Sequence, residues 1–258
     1  MTKSYTTAAA AVADVASGAS LAVGGFGLSG IPDVLIAALA AGEATDFEVF
    51  SNNCGIDGHG LGILLGNKRI RRVTASYVGE NKEFARQYLS GELEVELTPQ
   101  GTLAEKLRAG GAGIPAFFTP AGVGTPISHG GLPWRYAADG SVAVASPPKE
   151  IREFGGNWGG KRYVLEESIT TDFSLVHALR GDTEGNLVFT KAARNFNPLA
   201  AMAGRICIAQ VEELVEPGEI DPDAVHLPGI FVDRIVHTGI QDKQIERRTV
   251  RAGKGERA

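Results

Sequence analysis

The chain has 258 residues, of which 43% are hydrophobic and 21% charged, and its formal net charge is −5. This length is enough for one large α/β domain or two small ones, and the acidic balance argues against nucleic acid as a partner. Two cysteines, Cys54 and Cys207, are too few for a disulfide framework, and no apolar run reaches the length of a membrane span. Because the N-terminus lacks the pattern of a secretory signal, we expect a cytoplasmic protein that is not bound to a membrane.

Apolar runs alternate with helical patterns along most of the chain. Helices are predicted over Ala8–Ala16, over Pro32–Ala40 and, with Asn81 as N-cap, through Phe84 and Tyr88. Strands are predicted at Ser20–Val23, Phe47–Phe50, Arg71–Tyr77, Ala116–Phe118, Ser141–Ala145, Arg162–Leu165, Phe173–Ala178, Ile206–Ala209 and Ile230–Val232. This alternation is typical of the α/β class, so we expect a three-layer α/β/α arrangement around a mostly parallel sheet. We predict one domain over residues 1–245, followed by a polar tail at 246–258.

The stretch Val23–Pro32 reads Val-Gly-Gly-Phe-Gly-Leu-Ser-Gly-Ile-Pro and joins a predicted strand to a predicted helix. Glycines let a ligand approach bare N–H groups, and a helix N-terminus favours anions. The spacing Gly25-x-Gly27-x-x-Gly30 formally matches a dinucleotide fingerprint, but the next strand ends in Ser51-Asn52-Asn53 and lacks the acid that would bind a ribose. The stretch therefore predicts an anion-binding loop, and the alternative is a glycine turn that only permits tight packing.

The segment Glu92–Leu97 alternates glutamate with leucine or valine, which predicts a strand whose three glutamates face solvent. After a turn at Thr98–Gly101, the sequence Thr102–Glu105 has the form of a capping box that begins a helix. Gln100 then lies at a strand-to-helix junction, as the glycine loop does. Ligands gather at such carboxyl ends of strands in open α/β sheets.

Residues that could start a reaction are scarce. Cys54 and His59 are the only near pair of metal-ligand types, and we expect no metal site. A nucleophilic role for Cys54 is formally open, although a thiol in a glycine-rich loop is more often only a small residue. What remains is a set of backbone donors and the side-chain amides of Asn52, Asn53 and Gln100. Such neutral donors stabilise an oxyanion but supply no nucleophile.

Several longer strings of the sequence are more specific than these short motifs. They are Val23–Pro32, Ser51-Asn-Asn, Gly60-Leu-Gly, Ser76-Tyr-Val-Gly-Glu-Asn81, Ala193-Arg-Asn-Phe-Asn197 and, above all, Glu83–Pro115. Through them the chain, from about residue 4 to residue 251, resembles the A (alpha) subunits of succinyl-CoA:3-oxoacid CoA-transferases, a branch of the family I CoA-transferases. The resemblance implies a fold of the NagB/RpiA/CoA-transferase type.

The resemblance also implies a reaction in which CoA passes from succinyl-CoA to a 3-oxoacid such as acetoacetate. A glutamate attacks the thioester and forms an acyl-glutamyl anhydride, then a glutamyl-CoA thioester. In two-subunit members that glutamate lies in a Ser-Glu-Asn-Gly motif of the B (beta) subunit, so this chain is expected to be inactive without that partner, in an AB or A2B2 assembly. Glu80 falls in a motif of the alpha subunits and is not expected to be the nucleophile.

Roles for the donors follow from the same resemblance. It assigns CoA binding to Gly24, Gly25, Phe26, Gly27, Leu28, Ser29 and Gly30. It assigns the oxyanion hole to Gln100 and the substrate pocket to Asn52 and Asn53. A CoA thioester is then a substrate, and no permanently bound cofactor is expected.

Two departures from the family and three alternatives accompany this assignment. Cys54 replaces a small residue, and the Gly155–Arg162 stretch is longer and richer in tryptophan and glycine than in relatives. A CoA-transferase with another acid specificity, an acyl-CoA hydrolase and a non-catalytic CoA-binding module stay open as alternatives.

Overall fold

A computed structural model describes residues 3–243 of the chain. Its helices are α1 (Ala8–Ala11), α2 (Asp33–Ala41), α3 (Leu61–Gly66), α4 (Lys82–Leu89), α5 (Gln100–Gly111), α6 (Pro126–His129) and α7 (Asn197–Ala203). Its strands are β1 (Ser4–Tyr5), β2 (Ser20–Val23), β3 (Phe47–Phe50), β4 (Ile70–Ala75), β5 (Glu94–Leu97), β6 (Ala116–Thr119), β7 (Pro133–Tyr136), β8 (Val142–Ala145), β9 (Ile151–Phe154), β10 (Lys161–Glu167), β11 (Thr171–Asp182), β12 (Leu187–Val188), β13 (Gly204–Val215) and β14 (Arg234–His237). The predicted domain boundary at 245 and the tail at 246–258 lie outside the described residues, so that division stays a prediction.

Nine of the strands within residues 3–243 form one central sheet. Its order is β1-β14-β13-β11-β2-β3-β4-β5, and the short β12 pairs antiparallel with β11. The other pairs of this sheet are parallel. The predicted α/β class with a mostly parallel sheet is therefore confirmed. Parallel strands end at one edge, so the loops after β2, β3, β4 and β5 are neighbours in space.

Two apolar cores lie on opposite faces of the central sheet. Successive side chains of a strand point to opposite faces, and on β2 Leu21 and Val23 lie in one core while Ala22 lies in the other. The first core contains residues of α1 to α4, and the second contains residues of α5 and α7. Burial on both faces explains the run of apolar residues over Leu21–Val23 on β2.

Two small antiparallel sheets flank the central one. The first has the order β6-β10-β9, and the second is the pair β7-β8. The hydroxyl of Tyr88 on α4 donates to the carbonyl oxygen of Pro133 on β7 at 2.6 Å. Most of the Gly155–Arg162 stretch forms the connection between β9 and β10, where Trp158 contacts the ring of Tyr163 edge to face. Within residues 3–243, no helix has both the length and the apolar character that a bilayer crossing requires.

Two predicted elements near the chain ends differ from the structure. The helix predicted over Ala8–Ala16 ends at Ala11, because alanine propensity is a weak preference and the turn that follows buries Val12. The strand predicted at Ile230–Val232 is instead a 3-10 turn over Gly229–Phe231. Side chains of Lys3 and Asn186 hydrogen-bond the carbonyl and the N–H of Gly229, so these groups are not free for a sheet.

The predicted capping box is also wrong. Helix α5 begins at Gln100 after Pro99, so Thr102 lies inside the helix, and its hydroxyl has no hydrogen-bond partner among residues 3–243. The position of Gln100 at the junction of a strand and a helix is confirmed. The N-cap role of Asn81 is confirmed too, because its Oδ1 accepts from the N–H of Phe84 at 2.9 Å.

The glutamates of β5 are more buried than their alternation with apolar residues predicts. The side chains of Glu94 and Glu96 are 19% and 14% exposed, and they bind Arg72 at 2.6 and 2.7 Å. Glu48 adds a third carboxylate, 3.2 Å from the same guanidinium. The ring of Trp134 covers this group, with its centroid 4.7 Å from the Arg72 guanidinium carbon. Alternation identifies a polar face of a strand but does not show whether another element covers it.

Candidate active site

The predicted site residues lie at the edge of the sheet where four parallel strands end. Ala22 on β2 pairs with Phe50 on β3, and Phe50 pairs with Thr74 on β4. Ala75 on β4 in turn pairs with Leu97 on β5. The glycine loop (residues 24–30), the Asn52–Asn53 pair, the loop after β4 and the start of α5 therefore lie side by side.

Gln100 is the first residue of α5, and its exposed side chain is held by Asn52. Its Nε2 donates to Asn52 Oδ1 at 2.9 Å, and the same oxygen accepts from the hydroxyl of Ser76 at 2.9 Å. Asn52 itself is 1% exposed. Asn52 Oδ1 is therefore a shared acceptor for two donors in this arrangement of the amides. Within residues 3–243, the second Nε2 proton of Gln100 has no acceptor and is available to a ligand.

Sequence reasoning did not single out Ser76 as a site residue. It follows β4 directly, and its backbone N–H also donates to the carbonyl of Asn52 at 3.0 Å. The residue lies inside one of the strings that carry the family resemblance, but only the pairing of β3 with β4 brings it to Asn52. The family resemblance therefore included Ser76, but the sequence did not show that this residue contacts Asn52.

Asn53 joins the end of β3 to the tip of the glycine loop. Its Oδ1 accepts from the N–H of Gly27 at 3.0 Å, and the residue is 5% exposed. The neighbouring Ser51 hydroxyl donates to the carbonyl of Val23 at 2.9 Å and ties the same two segments together. Asn53 therefore contacts the glycine loop, and the adjacent Asn52 contacts Gln100.

The glycine loop forms a tight turn. The backbone groups of Phe26 and Ser29 exchange two hydrogen bonds of 3.0 and 2.9 Å, so Gly27 and Leu28 occupy the tip. The side chain of Phe26 is 48% exposed, whereas Leu28 is buried in the first core. The side chain of Leu28 therefore packs the loop against the protein, and that of Phe26 is the one that reaches solvent.

The loop keeps several backbone donors unused. The N–H of Gly24 donates to the carbonyl of Leu175 at 2.9 Å and is therefore satisfied. In the part of the chain that the structure describes, the N–H groups of Gly25, Leu28 and Gly30 have no protein acceptor. These are the donors that a ligand of the loop would meet.

The N-terminus of α2 is less available than the sequence suggests. Gln210, which is fully buried on β13, accepts from the N–H groups of Val34 and Leu35 at 3.0 and 3.3 Å. Asp33 adds a carboxyl in the first turn, and burial raises its pKa to about 6. Two N–H groups at the start of α2 therefore already have an acceptor within the protein. Anion binding would depend on the N–H groups of the glycine loop instead.

Cys54 does not have the surroundings of a nucleophile. It is fully buried, and burial raises the pKa of its thiol to about 12, so the reactive thiolate is absent at neutral pH. Its carbonyl accepts from Asn81 Nδ2 at 2.9 Å, which fixes the loop around it. Residues 3–243 hold no group of three His, Cys, Asp or Glu side chains placed to bind one metal ion.

A thiol reagent tests this assignment. We expect neither Cys54 nor Cys207 to react in the folded chain, because both are fully buried and burial raises the pKa of each to about 12. Both thiols should react after denaturation, which can be followed by the absorbance of the released thiolate. Rapid modification of folded Cys54 would contradict the assignment.

The site therefore offers neutral hydrogen-bond donors at Gln100 and in the glycine loop, and the buried Asn52 and Asn53 hold these two segments in position. A negative oxygen placed there would be stabilised by such donors without a proton transfer. The predicted roles in CoA binding, the oxyanion hole and the substrate pocket are compatible with these positions and stay predictions.

Comparison with known proteins gives the family. The sequence profile of the Coenzyme A transferase family matches residues 5–238. The A subunit of a probable succinyl-CoA:3-ketoacid coenzyme A transferase from Mycobacterium tuberculosis (strain H37Rv) is 68% identical over 251 residues, which cover 97% of this chain and 100% of the relative. The mitochondrial succinyl-CoA:3-ketoacid coenzyme A transferase 2 of Homo sapiens is 48% identical over 248 residues, which cover 96% of this chain and 47% of the human protein.

A solved structure agrees in fold. The acyl-CoA transferase from Escherichia coli O157:H7, in a thioester complex with CoA, aligns with a TM-score of 0.76 at 22% sequence identity. The alignment covers 94% of this chain and 48% of that protein, so the chain spans about half its length. Because the family profile matches most of its length and the Mycobacterium tuberculosis relative aligns almost from end to end, this chain belongs to the coenzyme A transferase family.

Proposed function

We propose that this chain is the alpha subunit of a CoA-transferase that moves CoA from succinyl-CoA to a 3-oxoacid such as acetoacetate. The observation that carries the proposal is the 68% identity, over the whole length of the relative, to a protein named as the A subunit of such an enzyme. A sequence this similar keeps its fold, and the donors at the carboxyl edge of the sheet suit thioester chemistry.

The proposal includes a separate beta subunit that supplies a glutamate. Two observations support it: this chain matches only 47% of the human relative, and its candidate site presents neutral amides and N–H groups. Cys54 is a protonated, buried thiol, and Asp57 is used to accept the N–H groups of Lys82 and Glu83 at the start of α4. An attacking carboxylate from another chain would complete the site.

The reaction then proceeds in two covalent stages. The carboxylate of the beta-subunit glutamate attacks the thioester carbonyl of succinyl-CoA, the C–S bond breaks, and an anhydride and CoA thiolate result. The thiolate attacks the glutamyl carbonyl of the anhydride and releases succinate, which leaves a glutamyl-CoA thioester. The carboxylate of acetoacetate attacks that thioester, and CoA is passed on through a second anhydride.

The residues of this chain act on the oxygen that becomes negative in each attack. In this proposal the free Nε2 proton of Gln100 donates to that oxygen, which is supported by the hydrogen bond through which Asn52 holds the amide. Asn53 fixes the tip of the glycine loop. The proposal assigns the unused N–H groups of that loop to the CoA part of the substrate. These groups stay neutral throughout, so the negative charge comes from the partner's carboxylate.

The test is reconstitution. The purified chain alone should form no acetoacetyl-CoA from succinyl-CoA and acetoacetate, because it lacks the nucleophile. Addition of the beta subunit, which is expected to be encoded next to this chain, should restore the transfer, measured by the absorbance of acetoacetyl-CoA. Robust transfer by the lone chain would refute the division of labour between the two subunits.

Two further assays separate the alternatives. Free CoA released without an acceptor acid would indicate an acyl-CoA hydrolase. Calorimetric binding of CoA to the lone chain, with an inactive mixture of both subunits, would indicate a non-catalytic CoA-binding module. A panel of acceptor acids would show whether the enzyme prefers another acid pair.

A further inference from the structure

Two asparagines hold the end of the glycine loop, at Ser29 and Gly30, while Asn53 holds its tip. Asn195 Nδ2 donates to the carbonyl oxygen of Ser29 at 3.0 Å, and Asn197 Nδ2 donates to that of Gly30 at 2.9 Å. Asn197 is fully buried, and its Oδ1 accepts from the backbone N–H of His177 at 3.0 Å. One buried side chain at the start of α7 thus connects the loop to strand β11.

This contact explains two glycines of the loop. A Cβ atom at Gly24 would overlap the side chain of Asn197. A Cβ atom at Gly30 would come within 2.9 Å of Asn197 Nδ2 and 2.8 Å of the Ala193 carbonyl oxygen. Gly30 also has a φ of +70°, where a side chain is disfavoured. The space taken by Asn197 therefore accounts for Gly24, and close packing together with the positive φ accounts for Gly30, whatever the loop binds.

These hydrogen bonds also constrain the direction of two backbone N–H groups. In a planar trans peptide, the C=O of one residue and the N–H of the next point in opposite directions. Asn197 holds the carbonyl of Gly30, and Asn195 holds that of Ser29 together with the N–H of Phe26, so the N–H groups of Ile31 and Gly30 point away from the asparagines. Among residues 3–243, neither N–H group has a protein acceptor.

We propose that Asn197, together with Asn195, is a positioning residue that keeps the glycine loop in the conformation that receives acyl-CoA. The inference rests on the proposed function, since it takes this loop as part of the CoA site. Both asparagines act through the carbonyls of Ser29 and Gly30 and not by touching the substrate. With Asn53 at its tip, the loop is held at both its tip and its end, so little ordering is needed when the substrate binds.

The test uses the enzyme assembled from this chain and its beta subunit. Asn197→Asp keeps the size of the side chain and the acceptor for His177, but it places an oxygen against the carbonyl of Gly30. Asn195→Asp makes the same change at Ser29. We expect the KM for succinyl-CoA to rise about 10–100-fold, with a much smaller change in kcat, because binding and not chemistry is weakened.

Ser174→Ala is the matched control. Ser174 is fully buried on β11 and donates to the carbonyl of Ala201 in α7 at 3.3 Å. Loss of the Ser174 hydroxyl weakens the contact between β11 and α7 and leaves the hydrogen bonds of the glycine loop unchanged. The KM of this variant should stay within about twofold of wild type, and its loss of Tm measures the purely structural effect.

The outcomes separate this inference from the proposed function. An inactive wild-type assembly would refute both. An active wild type, with the KM of both asparagine variants unchanged, would overturn the positioning role alone. The positioning role would also be overturned if Ser174→Ala raised the KM as much as the asparagine variants do at the same loss of Tm. Asn195 is only partly buried, so Asn195→Asp decides the question if Asn197→Asp does not fold.

Discussion

Gln100→Ala in the assembled enzyme should lower kcat by about 10²–10³, the usual effect of losing one oxyanion donor. The side chain of Gln100 is exposed and makes one hydrogen bond within the described residues, to Asn52. Its removal should therefore leave the fold and the assembly with the beta subunit intact. Steady-state transfer from succinyl-CoA to acetoacetate, with size-exclusion chromatography of the complex, measures both quantities.

Two further variants test whether the donor of Gln100, and not its bulk or its helix, determines kcat. Gln100→Glu has nearly the same shape but replaces the donor by a negative oxygen, so its kcat should fall at least as far as that of Gln100→Ala. Arg108→Ala, on the exposed side of the same helix, loses only an ion pair with Glu105 and should keep the wild-type kcat. If Gln100→Ala has unchanged turnover, Gln100 has no role in the oxyanion hole.

Arg72→Met should destabilise the chain by about 3 kcal/mol, because it removes the cation shared by partly buried carboxylates. Glu48, Glu94 and Glu96 lie within 2.6–3.2 Å of the guanidinium, and their side chains are 14–23% exposed. Without Arg72 these charges repel one another in a poorly solvated place. Denaturant unfolding of wild type and variant at constant pH measures the difference in free energy.

Arg71→Met is the matched control for Arg72. Arg71 is the preceding residue in β4, its side chain is 50% exposed, and its ion pair is with Glu48 alone. An exposed pair of this kind contributes about 0–1 kcal/mol, so the control should unfold almost as wild type does. If both variants lost the same free energy of unfolding, the cation shared at Arg72 would not be what stabilises β5.

The sequence was sufficient for the features that depend on local pattern. Short runs dominated by apolar residues predicted β2 and β3 with their observed bounds, because side chains that pack against the core recur along a strand. Asn81 was predicted as an N-cap because such a side chain satisfies a helix N–H only two or three residues further along the chain. The alternation of Glu92–Leu97 and the turn after it predicted the position of Gln100 after a strand, and the strings shared with the family predicted the type of fold.

Tertiary structure decided the features that depend on distant residues. Asn52 orients Gln100 only because β3, β4 and β5 lie side by side, and Gln210 satisfies the start of α2 from more than 170 residues away. The carboxylates of β5 are covered because Trp134 and Arg72 meet there. Such contacts follow from the order of strands in the sheet, which local patterns of hydrophobicity do not encode.

The glycine loop shows both kinds of information. Its sequence determined that the chain turns sharply between a strand and a helix, since only glycine adopts positive φ without strain. Its tertiary contacts decided which glycines serve packing: Gly24 and Gly30 make room for Asn197. They also decided which N–H groups stay unused, because a backbone donor is free only where the folded chain brings no acceptor to it.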